Sequence, residues 1–83
     1  MELNYTVEMM TSTDYKERFK AEYYQLKIRY GKLMKMLKYW DKDELDYTPD
    51  CPRGLYTLQV RAMHDYLAVL EARAKIEGIE LEE

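Results

Sequence analysis

The chain holds one cysteine, one histidine, two prolines and three glycines in 83 residues. Cys51 on its own rules out an internal disulfide, and with no CxxC or Cys/His grouping a zinc-type ligand set cannot be assembled. A reducing, cytoplasmic setting is the expectation. No Gly-rich loop is present to cradle a phosphate. The amino-terminal "MELNYTVEMM" has neither a cationic region nor a continuous apolar stretch, and no run approaches the roughly 18 apolar residues of a membrane span, so neither secretion nor insertion is signalled. His64 reads as a surface or boundary residue rather than a base, and Cys51 as a cap or filler. The carboxylates of "DKDEL" and "GIELEE" match neither a metal-ligand nor a paired-acid spacing. A binding protein is expected rather than an enzyme, with no catalytic residue, metal or cofactor.

What is present is apolar and charged in nearly equal parts, 47% hydrophobic and 35% charged residues. That mixture suits a folded helical protein and not a disordered one. A chain this short buries limited apolar surface by itself, so self-association is expected. The net charge of −3 conceals an imbalance: from Asp14 to Trp40 there are eight cations against three anions, and elsewhere five against thirteen. Long nucleic acid is therefore an unfavourable partner, since it needs a broad basic surface. A small anion held against one helix is compatible with the pattern.

Phe19, Tyr23, Leu26, Tyr30, Leu33, Leu37 and Trp40 recur at alternating spacings of four and three, which places them on one face of an α-helix. Asp14 with Glu17 has capping-box spacing at its start, and any of Thr11, Ser12 and Thr13 just before it could cap instead. Pro49 and Pro52 interrupt the pattern, and Pro52 suits the first residue of a second helix. There Tyr56, Val60, Met63, Leu67, Leu70 and Ala74 repeat the seam, with a flanking row of Leu55, Leu58, Ala62, Tyr66, Val69 and Ile76, until Gly78 ends the helix. The expectation is an all-α antiparallel two-helix hairpin, homo-oligomeric, in a single domain spanning 1–83. Its parts are an arm 1–13, a helix 14–40, a connector 41–51, a helix 52–77 and a tail 78–83. Because Leu3, Tyr5, Val7 and Met9 alternate with polar residues, the arm reads as extended, and it could pair with the similarly alternating tail.

The first helix carries a second patterned face, where Lys20, Tyr24, Lys27 and Gly31 form a strip about 16 Å long by helical rise. Tyr15 sits off it on the seam side. A solvated row of lysines with tyrosines snorkelling between them is one reading. Against it, Tyr24, Ile28 and Tyr39 point away from the only partner helix, so they meet another subunit or a ligand. Tyrosine faces stack on bases and lysines attract phosphates, so a nucleotide between protomers is the functional reading, with Tyr15, Lys20, Tyr24, Lys27 and Gly31 as candidate ligand-binding residues. A structural or adaptor protein that docks a protein partner is the alternative.

The stretches "YKERFKAEYYQLKIRYGKL" and "LQVRAMHDYLAVLEARAKIEGIEL" resemble the helical-hairpin domain shared by the anti-CBASS and anti-Thoeris phage proteins. The resemblance implies a homo-oligomer, commonly a hexamer, acting as a sponge in the cytoplasm of the bacterial host. It would trap cyclic dinucleotides, cyclic trinucleotides or a cyclic ADP-ribose derivative without cleaving them. It implies a phosphate-binding lysine, with Lys27 in "LKIRYGKL" as the match, and a stacking tyrosine that the nine tyrosines leave unassigned.

Overall fold

The computed structural model describes residues 1–82, and every regular element among them is helical. A single 3-10 turn, Leu3–Thr6, runs into the short helix α1, Val7–Met10; two long helices follow, α2 (Tyr15–Asp41) and α3 (Arg53–Glu77). The long pair is antiparallel. Tyr15 meets Glu77 at one end, Tyr30 lies beside His64 in the middle, and the Trp40 ring meets the Tyr56 ring edge-on at the other, 5.6 Å between centroids. The molecule measures 43 × 24 × 20 Å, long enough for helices of this length laid side by side.

Local chemistry sets the helix ends. The Asp14 carboxylate accepts the Lys16 N–H at 2.9 Å, satisfying one of the first-turn donors that an α-helix leaves open. Pro52 is the N-cap of α3 rather than its first residue, with an extended ψ of 145°. At the far end Gly78 adopts φ 69°, and Ile79 donates back to the Ala74 carbonyl at 2.8 Å. This reversal folds the tail onto the helix pair and buries Ile79 against the same cluster as Ala74. α2 ends in the same way without a glycine: Asp43 takes φ 57°, and the N–H groups of Asp43 and Glu44 bond to the carbonyls of Trp40 and Tyr39.

The core lies at the end of the molecule where α2 begins and α3 finishes. Phe19, Tyr23, Leu67, Leu70 and Ala74, all from the two seams, are buried there together with Tyr24 and Ile79. Toward the connector the seam is only half-buried, apart from Leu37.

The arm departs from its expected extended form, and the hairpin gains a third helical element. An extended chain would have put Leu3, Tyr5, Val7 and Met9 on one face, yet Tyr5 and Val7 are exposed at 65% and 50%. Instead Leu3, Thr6 and Met9 turn inward at a spacing of three, the period of a helical turn. Thr6 is the anchor. Its buried hydroxyl donates to the Leu3 carbonyl at 2.6 Å and accepts from Gln25 Nε2 of α2 at 3.0 Å. Two satisfied hydrogen bonds around a fully buried hydroxyl fix the arm against α2 more firmly than alternating apolarity would fix a strand. Arm and tail do meet at this end, since Met9 and Leu81 both pack against the core, but no strand joins them among the described residues.

Candidate functional site

The five candidate residues all lie on α2, and the fold does not gather them into one hollow. Tyr15 is held at the end of α3: its hydroxyl donates to Glu77 Oε1 at 2.7 Å and accepts from Arg73 at 2.9 Å, while Arg73 also bonds Glu77. The hydrogen bond to Glu77 raises the Tyr15 pKa, because the neutral phenol is the donor that a carboxylate favours. The same bond, followed by that from Arg73, lowers the Glu77 pKa. Arg73 in turn lies over the Phe19 ring, 5.0 Å from its centroid.

Tyr24 was expected to face outward and is buried at 7% exposure, which corrects that expectation. The tail covers it, since its hydroxyl accepts the Glu82 N–H at 2.8 Å, and its ring meets Tyr23 edge-on. A two-helix projection cannot show this, because the covering segment arrives only after the Gly78 reversal. Tyr24 and Lys20 border a hollow of about 330 Å³ whose rim also carries Glu17, Glu80 and Glu82. Lys20 is within 3.6 Å of Glu17 there. Negative charge outweighs positive in that hollow.

Lys27 is half-buried, with its ammonium 5.7 Å from the Tyr23 ring centroid. Tyr23 itself is pinned by donating to Glu71 at 2.8 Å. An ammonium held over an aromatic face by a fixed tyrosine is a pre-positioned cation. Gly31, one turn further, is exposed, and a Cβ built on it would meet nothing within 4 Å. Nothing among the described residues therefore requires glycine at that position.

Two features escaped the sequence reading. Of the outward α2 trio only Tyr39 is exposed, at 41%, whereas the flanking row of α3 is open to solvent: Leu55 at 55%, Leu58 at 58%, Val69 at 54% and Ile76 at 85%. The periodicity had revealed this row but assigned it to the flank of the hairpin seam. The second is a hollow of about 730 Å³ near the connector, bordered by Lys35, Lys38, Lys42 and Arg53 around Leu37 and Val60. Its signal is the run of lysines at spacings of three and four that continues past Gly31 to the end of α2. Among the described residues no group of three or more His, Cys, Asp and Glu side chains is arranged to hold a metal ion. Among the described residues no helix is long and apolar enough to cross a membrane.

The accessible surface is 6204 Å². A compact monomer of 10.1 kDa is expected to expose about 5,300 Å². The excess is on the scale of one partner's share of a specific protein interface, roughly 800 Å².

Compared with known proteins, a family model described as Sequestin matches residues 13–76, which takes in all of α2 and all but the last residue of α3. No curated protein and no solved structure matches the chain.

Proposed function

The chain belongs to the Sequestin family, and from that premise we propose that it is a non-enzymatic binding protein that sequesters a small anionic ligand, of the cyclic nucleotide class, between protomers of a homo-oligomer. The single observation that carries the reading is the family match itself, a name that denotes sequestering, laid over the most basic segment of the chain. Lys27, fixed above Tyr23, is the cation best prepared to meet a phosphate. Tyr15, Lys20 and Gly31 lie on the same helix, and Gly31 leaves room for another chain or a ligand to approach closely. Since no one hollow joins these residues, the complete site requires a second protomer, as symmetric assemblies commonly arrange. On this reading, and in keeping with the resemblance to anti-CBASS and anti-Thoeris phage proteins, the protein would act in the cytoplasm of an infected bacterium, with a hexamer as the expected assembly.

A second reading has its own support. The exposed apolar row of α3 would serve equally well to dock a different protein, in an adaptor that binds no nucleotide.

A thermal-shift panel of cyclic dinucleotides, cyclic trinucleotides and cyclic ADP-ribose isomers separates the two. A ligand present at a hundred times its Kd stabilises the folded state by about 2.7 kcal/mol. Sequestration further requires that the ligand released on denaturation be chemically intact. If no member of the panel raises the melting temperature, the adaptor reading replaces the sponge.

A further inference from the structure

The hollow near the connector begins one turn past the end of the candidate strip, Lys35 following Gly31 by about 6 Å of helix, and its centre at Lys38 is about 16 Å from Lys27. Its charge is one-sided. The only carboxylate on its border, Asp41, is already neutralised, since Arg53 reaches its two oxygens through Nε and a terminal nitrogen at 3.0 and 3.1 Å. The remaining Arg53 nitrogen donates to the Thr57 hydroxyl at 2.8 Å, and the guanidinium lies 6.0 Å from the Trp40 ring centroid. Arg53 is thus spent on fixing the start of α3 against the end of α2.

Lys35, Lys38 and Lys42 remain, and none is ion-paired among the described residues. Spaced by three and four, they share one face, where like charges repel by a few tenths of a kcal/mol per pair. The carbonyl end of α2 accounts for Lys38 in its last turn and Lys42 at its C-cap. It does not account for Lys35, nor for the apolar floor of Met34, Leu37 and Val60 between the cations and α3. An apolar floor with a cationic rim matches a molecule that is itself divided into an apolar part and an anionic part. The volume of about 730 Å³ falls within the range of small-molecule sites.

We propose that this hollow is a second binding site, distinct from the strip, for a small phosphorylated molecule with an aromatic body. The phosphates lie against Lys35, Lys38 and Lys42, whose Cα atoms span about 10 Å of helix, enough for two adjacent phosphates. The ring rests on Met34, Leu37 and Val60, where the thioether offers a polarisable contact to an aromatic face.

Adenosine 5′-diphosphate is a suitable probe, titrated into the full-length ¹⁵N-labelled chain while backbone amide shifts are followed, with inorganic phosphate titrated in parallel. The expected result is saturable shifts confined to residues 34–42 and 53–60, produced by the nucleotide and not by phosphate at the same concentration. Replacing all three lysines together, by Lys35→Gln, Lys38→Gln and Lys42→Gln, raises Kd by about tenfold or more, the cost of losing charge-assisted bonds. Glutamine retains helix propensity, so the triple variant folds, and arginine at the same three positions keeps the affinity. Shifts centred on residues 20–31, equal shifts from phosphate alone, or no saturable shift in the millimolar range would each overturn the proposal.

Discussion

The hydroxyl of Tyr24 accepts the backbone N–H of Glu82 at 2.8 Å, so the carboxyl-terminal tail crosses the aromatic ring that a two-helix projection leaves open. Stacking a base on Tyr24 would first require this tail to lift, exposing Ile79, which is now 6% accessible. Tyr24 is therefore a core residue first. Tyr24→Phe should cost about 1 kcal/mol, the net worth of one hydrogen bond, and Tyr24→Ala about 3–5 kcal/mol. Urea unfolding followed by far-UV circular dichroism, at fixed protein concentration, measures both. An alanine variant as stable as the parent would return Tyr24 to the surface.

Lys27 carries the sharpest test of sequestration. Lys27→Ala should reduce cyclic nucleotide affinity by tenfold or more, since a charge-assisted hydrogen bond is worth about 1.5–3 kcal/mol. Its cation–π contact with Tyr23 is partly exposed, so stability should fall by no more than about 1 kcal/mol. Calorimetric titration, with the assembly verified by light scattering, distinguishes a lost contact from a lost oligomer. Unchanged affinity would move the site elsewhere, with the Tyr15 end next in line.

For the proposed homo-oligomer, the open row of α3 is the surface expected to carry the contact between copies. Placing carboxylates at its centre, by Leu58→Glu with Val69→Glu, should leave helix content intact because both residues are more than half exposed in the protomer. It should reduce the mass seen by light scattering to that of a single chain, 10.1 kDa. A parent protein already at that mass would remove the oligomer together with any site shared between protomers.

Tyr15 and Glu77 together predict the response to pH. Glu77 has its folded pKa lowered below the ordinary 4.5, so its contribution is present above that value and is lost as pH falls through the folded pKa. Tyr15 has its folded pKa raised above 10.0, so its contribution is present below that value and is lost as pH rises through the folded pKa. Glu77→Gln should flatten the acid limb of the stability profile, and Tyr15→Phe the alkaline limb. Denaturant midpoints across the pH range provide the check, and identical limbs in parent and variants would dissociate the pair from stability.

Asp43 holds a left-handed backbone, φ 57°, that glycine adopts without a steric penalty. Asp43→Gly should stabilise the chain by about 0.5–1 kcal/mol, because glycine's greater freedom in the unfolded state offsets part of the relief. A lower urea midpoint would show that the aspartate side chain contributes to the turn.

Both long helices, their antiparallel seams, the start of α2 and the end of α3 were determined by sequence alone. Phe19, Tyr23, Leu67, Leu70 and Ala74 are buried where the four-three spacing placed them, and Asp14 and Gly78 act at the ends where their chemistry belongs. These are local properties: rotation per residue sets a face, and a side-chain oxygen or a missing Cβ sets a terminus. The tertiary structure decided what covers the remaining faces. Leu3, Thr6 and Met9 turned inward because Gln25 of α2 donates to the Thr6 hydroxyl, and that partner outweighs the alternation of Tyr5 and Val7. Tyr24 became core because the tail doubles back over it, while Leu55, Leu58, Val69 and Ile76 stayed exposed because no segment among the described residues covers them. Helical periodicity reports which residues share a face, but burial depends on which other segment arrives there, and that is a property of the folded chain.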